Sequence, residues 1–423
     1  MRIGRISSAC AVLVFVWTSG GGAQPARQTP FVAALLRNWT AWDRDRDNRL
    51  SLGEIDSAVL DQSATGENAA AAGTLKLIAR RKEMKDVALT REYFLKYSQQ
   101  RLTKTAAPTE EAAELQTVDI LNQDSTAAKR GAALSADWDL YFSAGKRRIA
   151  LGAGGWTGRF NLDHMRQGPL SDCYFISSLG SLLVERPEQL KRLITPLPDG
   201  TFRASYPGRV PFVVGRPTEA ELAISSVSAD DGLWLPVMER AFGQFRMLKQ
   251  SPNDDTEATD VISHGGRTGP TIDVLTGNSH KSITVAASVE QRKAQAGKIL
   301  PELRAELLGA VREHRVMTVS VVGPAVDNAG RSADRGDQGT APHIPVGITR
   351  HHAYAVISYD RRTDVIGLWN PHGQNFTPTG APGLENGYPT DHGRFTLPLT
   401  EAYSFCTNFT FEIPKVPKSQ RSR

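Results

Sequence analysis

Gln167-Gly168-Pro169-Leu170-Ser171-Asp172-Cys173-Tyr174-Phe175-Ile176-Ser177-Ser178-Leu179-Gly180-Ser181-Leu182-Leu183 reads as a loop that turns into a helix at a cysteine. Gly168-Pro169 marks the loop, and Ser171 or Asp172 supplies the N-terminal cap. Past the cysteine, Ile176, Leu179, Leu182 and Leu183 recur at helical spacing as one apolar stripe, while Gly180 and Ser181 let a neighbouring element come close. The pattern predicts a central, buried helix. A thiol in the first turn of a helix faces the positive end of the dipole and unpaired backbone N–H groups, both of which favour thiolate. Gln167, on the loop upstream, can reach back so that its amide and the Cys173 N–H donate to a developing oxyanion. An unpaired cysteine is more often a small buried hydrophobe, so the segment acquires chemical meaning only with a base.

A base is found far along the chain. His351-His352-Ala353-Tyr354-Ala355-Val356-Ile357-Ser358-Tyr359 reads as a strand, Asp360 to Asp364 as a polar turn, and Val365-Ile366-Gly367-Leu368-Trp369-Asn370-Pro371 as the returning strand. Pairing about residue 362 sets position 352 opposite 372 and 354 opposite 370, so His352 and Asn370 share a face, two residues offset. A one-residue bulge would break that parity. An Asn oxygen in that place holds an imidazole N–H and aims the ring at a thiolate across a cleft. Taken alone, His352 reads as a satisfied strand histidine; with Cys173 and Asn370 it completes a Cys-His-Asn constellation.

These residues carry a resemblance. Gln-Gly-x-Leu-x-Asp-Cys at 167–173, His-Ala-Tyr at 352–354 and Asn-Pro-x-Gly at 370–373 resemble the calpain family of cysteine proteases. Leu233-Trp234, Glu239-Arg240-Ala241-Phe242, Gly265-Gly266 and Thr276-Gly277 follow in the family's order, so the likeness runs from about Trp156 to Pro414. It implies an α+β, papain-like core of two subdomains, a helical lobe bearing Cys173 and a β-rich lobe bearing His352 and Asn370. It also implies peptide-bond hydrolysis with protein or peptide substrates. The family usually has Gly at the position of Ser171, Trp at that of Tyr174 and Trp at that of His372; the indole there would shield the Asn-His hydrogen bond from water.

Outward from this core, Phe31, Ala34, Leu35, Trp39 and Trp42, then Leu75, Leu77 and Ile78, then Tyr93, Phe94 and Tyr97 keep helical spacing and predict a small all-α unit. Between its first two helical patterns lies Asp43-Arg44-Asp45-Arg46-Asp47-Asn48-Arg49-Leu50-Ser51-Leu52-Gly53-Glu54, which matches an EF-hand loop. The calcium ligands expected are Asp43, Asp45, Asp47, Arg49 through its carbonyl, Ser51 and Glu54. Asn48 stands where glycine is usual, and asparagine tolerates the left-handed turn. Leu50 should pack the loop against a partner around Leu75 to Tyr97, whose own loop, with Lys82, Met84 and Asp86, has no acidic set. Arg44, Arg46 and Arg49 should weaken cation affinity, so calcium is expected to stabilise more than to switch. A metal-free, helix-capping acidic loop is the bland alternative.

The chain has 423 residues, 40% hydrophobic and 22% charged, which excludes disorder over most of its length and suits two or three units. A net charge of +5, with no Lys/Arg block interleaved with aromatics, gives no reason to expect a nucleic-acid partner. Three cysteines build neither a disulfide framework nor a multi-cysteine zinc site. Arg2 and Arg5 before the apolar run Ala9 to Trp17 and the small residues ending at Ala23 form a secretory signal pattern, with cleavage expected before Gln24. Its apolar run is short of the roughly 20 residues a spanning helix needs, so no stable membrane anchor is expected and Cys10 would leave with the signal. Cys406 reads as a core residue.

The expected division is a signal peptide at 1–23, an EF-hand-like helical domain at 24–103, a linker at 104–135, the calpain-like domain at 136–415 and a basic tail at 416–423. The function expected is a secreted or periplasmic, calcium-dependent-type cysteine endopeptidase. Two other readings remain open: a thiol acyltransferase of transglutaminase type, whose third residue is usually Asp where this chain has Asn370, and an inactive protease-fold, calcium-binding interaction protein.

Overall fold

The structure, a computed structural model, describes residues 28–81, 84–102, 138–248, 257–321 and 342–415. The expected signal segment, the linker at 104–135, the tail at 416–423 and Lys82 lie outside the described residues.

The N-terminal part is helical: α1 (Pro30–Trp42), α2 (Leu52–Leu60), α3 (Gly66–Ala79) and α4 (Arg91–Leu102). Pro30 opens α1, where a missing N–H is harmless. The periodic residues Phe31, Ala34, Leu35, Trp39 and Trp42 are its buried set. α5 (Trp138–Gly152) then lies against α1 and α3. Trp138 stacks on Tyr97 with ring centroids 3.9 Å apart, and the Phe31 N–H donates to Asp139 at 2.8 Å.

The chain continues through α6 (Cys173–Glu185), α7 (Pro187–Leu193), the short antiparallel sheet β1 (Ile194–Pro196), β2 (Phe202–Ala204), β3 (Phe212–Val214), then α8 (Glu219–Ile224), α9 (Trp234–Met247), α10 (Ala258–Ser263) and α11 (Thr268–Thr276). The N-terminal helices and this helical lobe share one hydrophobic cluster, reaching from Phe31 to Trp234 and on to Trp369. The approach of α3 to α8 is close enough that a Cβ on Gly73 would lie 2.8 Å from the Ala220 carbonyl oxygen. A second cluster lies in the β-rich lobe, with Tyr354, Ile366, Phe405 and Phe409 among its fully buried members.

That lobe consists of β4 (Ser279–Thr284), α12 (Val289–Arg312), β5 (Met317–Val321), β6 (Ala353–Asp360), β7 (Val365–Trp369), β8 (Arg394–Pro398), α13 (Leu399–Phe405) and β9 (Cys406–Ile413). Its six strands run in the order β4-β9-β5-β6-β7-β8, each pair antiparallel. The two strands read from His351 to Asn370 are present as β6 and β7; β4 and the small β1–β3 sheet are short and lack the strong apolar alternation that marks a strand. Cys406 is fully buried. No helix of the described residues is long and apolar enough to cross a membrane.

Helix α6 is the hinge between the lobes. Every residue from Tyr174 to Leu183 is buried, so the helix is enclosed on all sides. A Cβ on Gly180 would lie 2.6 Å from the Trp369 ring on β7, and Ser181 Oγ accepts the Met317 N–H of β5 at 2.8 Å. The small pair thus admits the β-rich lobe against the helix. Just past its C-terminus, Arg186 pairs with the fully buried Glu412 of β9.

Candidate active site and acidic loop

Cys173 is the first residue of α6, at the edge of a cleft of about 580 Å3 that His351, His352 and Ala353 line from the other lobe. Asp172 occupies the cap position, but its side chain makes no cap hydrogen bond, which corrects the simple capping role expected for it. The backbone N–H groups of Ala353, Tyr174 and Cys173 itself act to lower the pKa of the thiol.

Across the cleft, His352 Nε2 lies 3.0 Å from Asn370 Oδ1, and both residues are buried. The His372 backbone N–H donates to the same oxygen at 3.1 Å. Oδ1 is therefore an acceptor, His352 carries its proton on Nε2, and Nδ1 keeps a lone pair. A bulge between Val356 and Ser358 does occur in the hairpin; its effect is to restore, at the open end, the register with Ala355 opposite Trp369 that aligns 352 with 372. Asn370 is fixed by its own N–H, which donates to the Gly393 carbonyl at 2.8 Å. His372, where the family usually has an indole, lies flat on His352 with centroids 4.3 Å apart and planes 12° apart. Both of its ring nitrogens are buried without a hydrogen-bond partner among the described residues.

Gln167 is buried on the loop before the helix, and its backbone N–H donates to the Pro371 carbonyl at 2.8 Å, tying that loop to the Asn370 turn. Its side-chain Nε2 donates to Leu170 O at 2.8 Å. One amide hydrogen is so committed and the other remains.

Burial dominates the electrostatics. It pushes the Cys173 thiol up to about 11, overriding the backbone N–H groups led by that of Ala353, and drives the His352 imidazole down to about 4 despite its bond to Asn370. The expectation of a thiolate favoured by the helix end is not met here: the helix contributes, but desolvation outweighs it. His372 is likewise held neutral by burial, and by His352 beside it. The pair facing the cleft is thus a neutral thiol and a neutral imidazole.

Behind the thiol sits a feature the sequence reading did not single out. Asp172 and Glu239 are both fully buried. Glu239 accepts the Ser226 N–H through both oxygens, at 3.1 and 2.9 Å. Burial, then the Glu239 charge, raises Asp172 well above the usual carboxylate range. The signal was present: Glu239 lies on a helix stretch flanked by Leu235, Met238, Ala241 and Phe242, where an acid must have a partner.

In the N-terminal loop, Asp43, Asp45 and Asp47 bring one carboxylate oxygen each within 4.8 Å of one another. Asp43 is 7% exposed, and its Oδ1 has no hydrogen-bond partner. Asn48 takes φ 64°, the left-handed turn expected of it. Ser51 and Glu54 are not gathered into this group; they form a reciprocal capping box at α2, with Glu54 also accepting the Arg44 N–H at 2.7 Å. Arg49 forms a bridge with Thr90 and the Leu50 N–H donates to Leu89 O at 3.0 Å, so the second loop supports the first as Leu50 suggested. Three converging carboxylates, one with a buried unpartnered oxygen, fit a hard, oxygen-seeking cation such as calcium.

A family model described as calpain family cysteine protease matches residues 156–381. No curated protein matches the chain.

Proposed function

Because the chain belongs to the calpain family of cysteine proteases, whose substrates are proteins, we propose that it is an exported endopeptidase working through Cys173, His352, Asn370 and Gln167. The observation that carries this reading is the 3.0 Å bond from His352 to Asn370, made at the rim of the cleft that Cys173 enters from the other lobe. A neutral couple suits general-base attack. The Sγ proton passes to His352 Nδ1 as sulfur bonds to the substrate carbonyl carbon, and the carbonyl π electrons move to oxygen. That oxyanion takes the Cys173 N–H and the second amide hydrogen of Gln167. The imidazolium, steadied by Asn370, protonates the leaving amine; water, deprotonated by His352, then releases the acid and frees the thiol. His372 replaces the family's indole as the cover over the His352–Asn370 bond, excluding water that would compete for Oδ1.

The same proposal assigns a calcium ion to Asp43, Asp45 and Asp47, with the Arg49 carbonyl, Ser51 and Glu54 completing the set. Glu54 would have to turn from its capping bonds toward the ion. Its charge and that of the three aspartates favour a cation, the three loop arginines weaken it, and millimolar extracellular calcium would keep the site filled in an exported chain. Export rests on the Arg2 to Ala23 pattern.

The test is casein hydrolysis by purified residues 24–423 under reducing conditions with calcium. Cleavage that Cys173→Ser abolishes is expected. A folded chain that leaves casein intact favours the reading as a calcium-binding interaction protein instead, and transfer to an added amine in preference to water favours an acyltransferase.

A further inference from the structure

Gly266 and Arg267, between α10 and α11, form one wall of the cleft with the first turn of α11, and Gly265 precedes them. Their backbone is held from behind. Arg246 donates to the Gly265 carbonyl at 3.4 Å, and Gly266 lies so close to the Tyr174 ring that a Cβ would come within 2.5 Å of it. Arg246 also donates to the Tyr174 hydroxyl, which itself donates to Ile262 O at 3.3 Å. The Arg267 carbonyl accepts from Thr271 Oγ1 at 3.0 Å. A rigid backbone therefore presents an exposed Arg267 side chain at the cleft, and among the described residues no carboxylate pairs with its guanidinium.

The facing wall is polar. Antiparallel pairing sets Ser282 opposite Thr410, Thr284 opposite Asn408 and Ser320 opposite Asn408. The side chains join across the strands, Ser282 to Thr410 at 3.1 Å and Thr284 to Asn408 at 2.9 Å. Among the described residues no Asp or Glu lines the cleft. His280 also lines it, but its Nδ1 lies 2.8 Å from Asp273, so that carboxylate is already engaged. What remains, among the described residues, is one uncompensated cation facing a row of hydroxyls and an amide. A lysine or arginine side chain would be repelled, and a leucine would desolvate hydroxyls without replacing their hydrogen bonds.

We propose that Arg267 is a specificity residue that selects peptides carrying an Asp or Glu side chain close to the scissile bond. This rests on the cysteine-protease reading, since it uses the same cleft. A charge-assisted, partly desolvated Arg-carboxylate bond gives about a tenfold preference over an uncharged residue. Being electrostatic at an open cleft, the preference falls as salt is raised.

Two measurements on matched fluorescent octapeptides, with Glu, Gln or Lys placed at one position at a time in an Ala/Leu background, test it separately from the chemistry. In the first, wild-type, Arg267→Ala and Arg267→Glu chains are compared by kcat/KM ratios within each chain. Glu over Lys preference at one position, lost in Arg267→Ala and inverted in Arg267→Glu, supports the proposal; an unchanged ratio in Arg267→Ala overturns it. In the second, the same peptides bind by fluorescence anisotropy to the Cys173→Ala chain and to Cys173→Ala with Arg267→Ala. If acidic peptides bind preferentially through Arg267 although wild type cleaves nothing, the recognition stands and the protease reading falls. If casein is cut but no position shows a charge preference in rate or binding, the protease reading stands and Arg267 is no specificity residue.

Discussion

Two regions of this chain handle charge in opposite ways. At the junction of the lobes, Cys173, His352, Asn370 and His372 come from segments far apart in sequence, and burial holds thiol and both imidazoles in their neutral forms. In the loop from Asp43 to Glu54, contiguous residues gather carboxylates that are exposed except for Asp43. The first arrangement keeps charge latent until a substrate receives it. The second keeps charge on display for a cation to neutralise. The proposed chemistry thus rests on desolvated groups whose partners are supplied by distant packing, whereas the acidic loop is a local arrangement that water still reaches.

The comparison would break most visibly at the junction. His352→Ala should lower kcat on casein by about 10²- to 10⁴-fold with the chain still folded, as judged by circular dichroism; a loss confined to KM would assign His352 to binding alone. Next in size is the buried ion cluster that ties the two regions together. α2, which begins with the calcium loop's last turn, carries Asp56; it pairs with Lys76 at 3.3 Å and with Arg80 at 2.7 Å, and those cations also reach Glu257 and Asp260 around α10. Lys76 is 2% exposed, and although burial works against its charge, the three carboxylates hold its ammonium above the usual lysine range. Lys76→Met leaves acids buried without their cation and should cost about 3–5 kcal/mol in denaturant unfolding; a cost near that of an exposed pair would mean the regions are joined by apolar packing alone.

A smaller effect is expected with pH. The folded-state value of His352 lies below its unfolded value, so burial of the neutral ring contributes stability above about pH 6.5, lost as pH falls toward about 4. The loss is up to about 3 kcal/mol, and His352→Gln should flatten that part of the curve; an unchanged acid limb would place its origin elsewhere. Smallest is the calcium term. Asp43→Asn with Glu54→Gln should remove about 1 kcal/mol of stability in millimolar calcium, roughly 2 °C in Tm. The rate per folded molecule should change less. A rate that vanished with Tm unchanged would make the loop a switch, in conflict with the structural role.

Legibility in the sequence followed the same divide. The convergence of Asp43, Asp45 and Asp47 was readable from spacing because they are neighbours, while the Ser51-Glu54 capping box belongs to the helix-capping alternative, for which a Ser-x-x-Glu at a helix start is the signature. Helix α6 and the hairpin of β6 and β7 were readable because apolar periodicity and turn residues act locally. The juxtaposition of Gln167 with the Asn370 turn needed a long-range contact, the Gln167 N–H to Pro371 O bond, that no local pattern encodes. At the thiol the helix dipole is visible in sequence, but the desolvation that outweighs it depends on packing around the sulfur that no local pattern encodes. Asp172 and Glu239 follow the same rule, since an acid on an apolar helix stretch announces that it needs a partner but only packing shows which one.

The most direct test of the central claim is the rate at which a peptide epoxide modifies the folded chain, with the adduct mapped by mass spectrometry, in wild type and in His352→Ala. A single adduct on Cys173, formed about a hundredfold more slowly without His352, is the result the account predicts. A folded wild-type chain that carries no adduct on Cys173, or one that reacts equally fast without the imidazole, would contradict it.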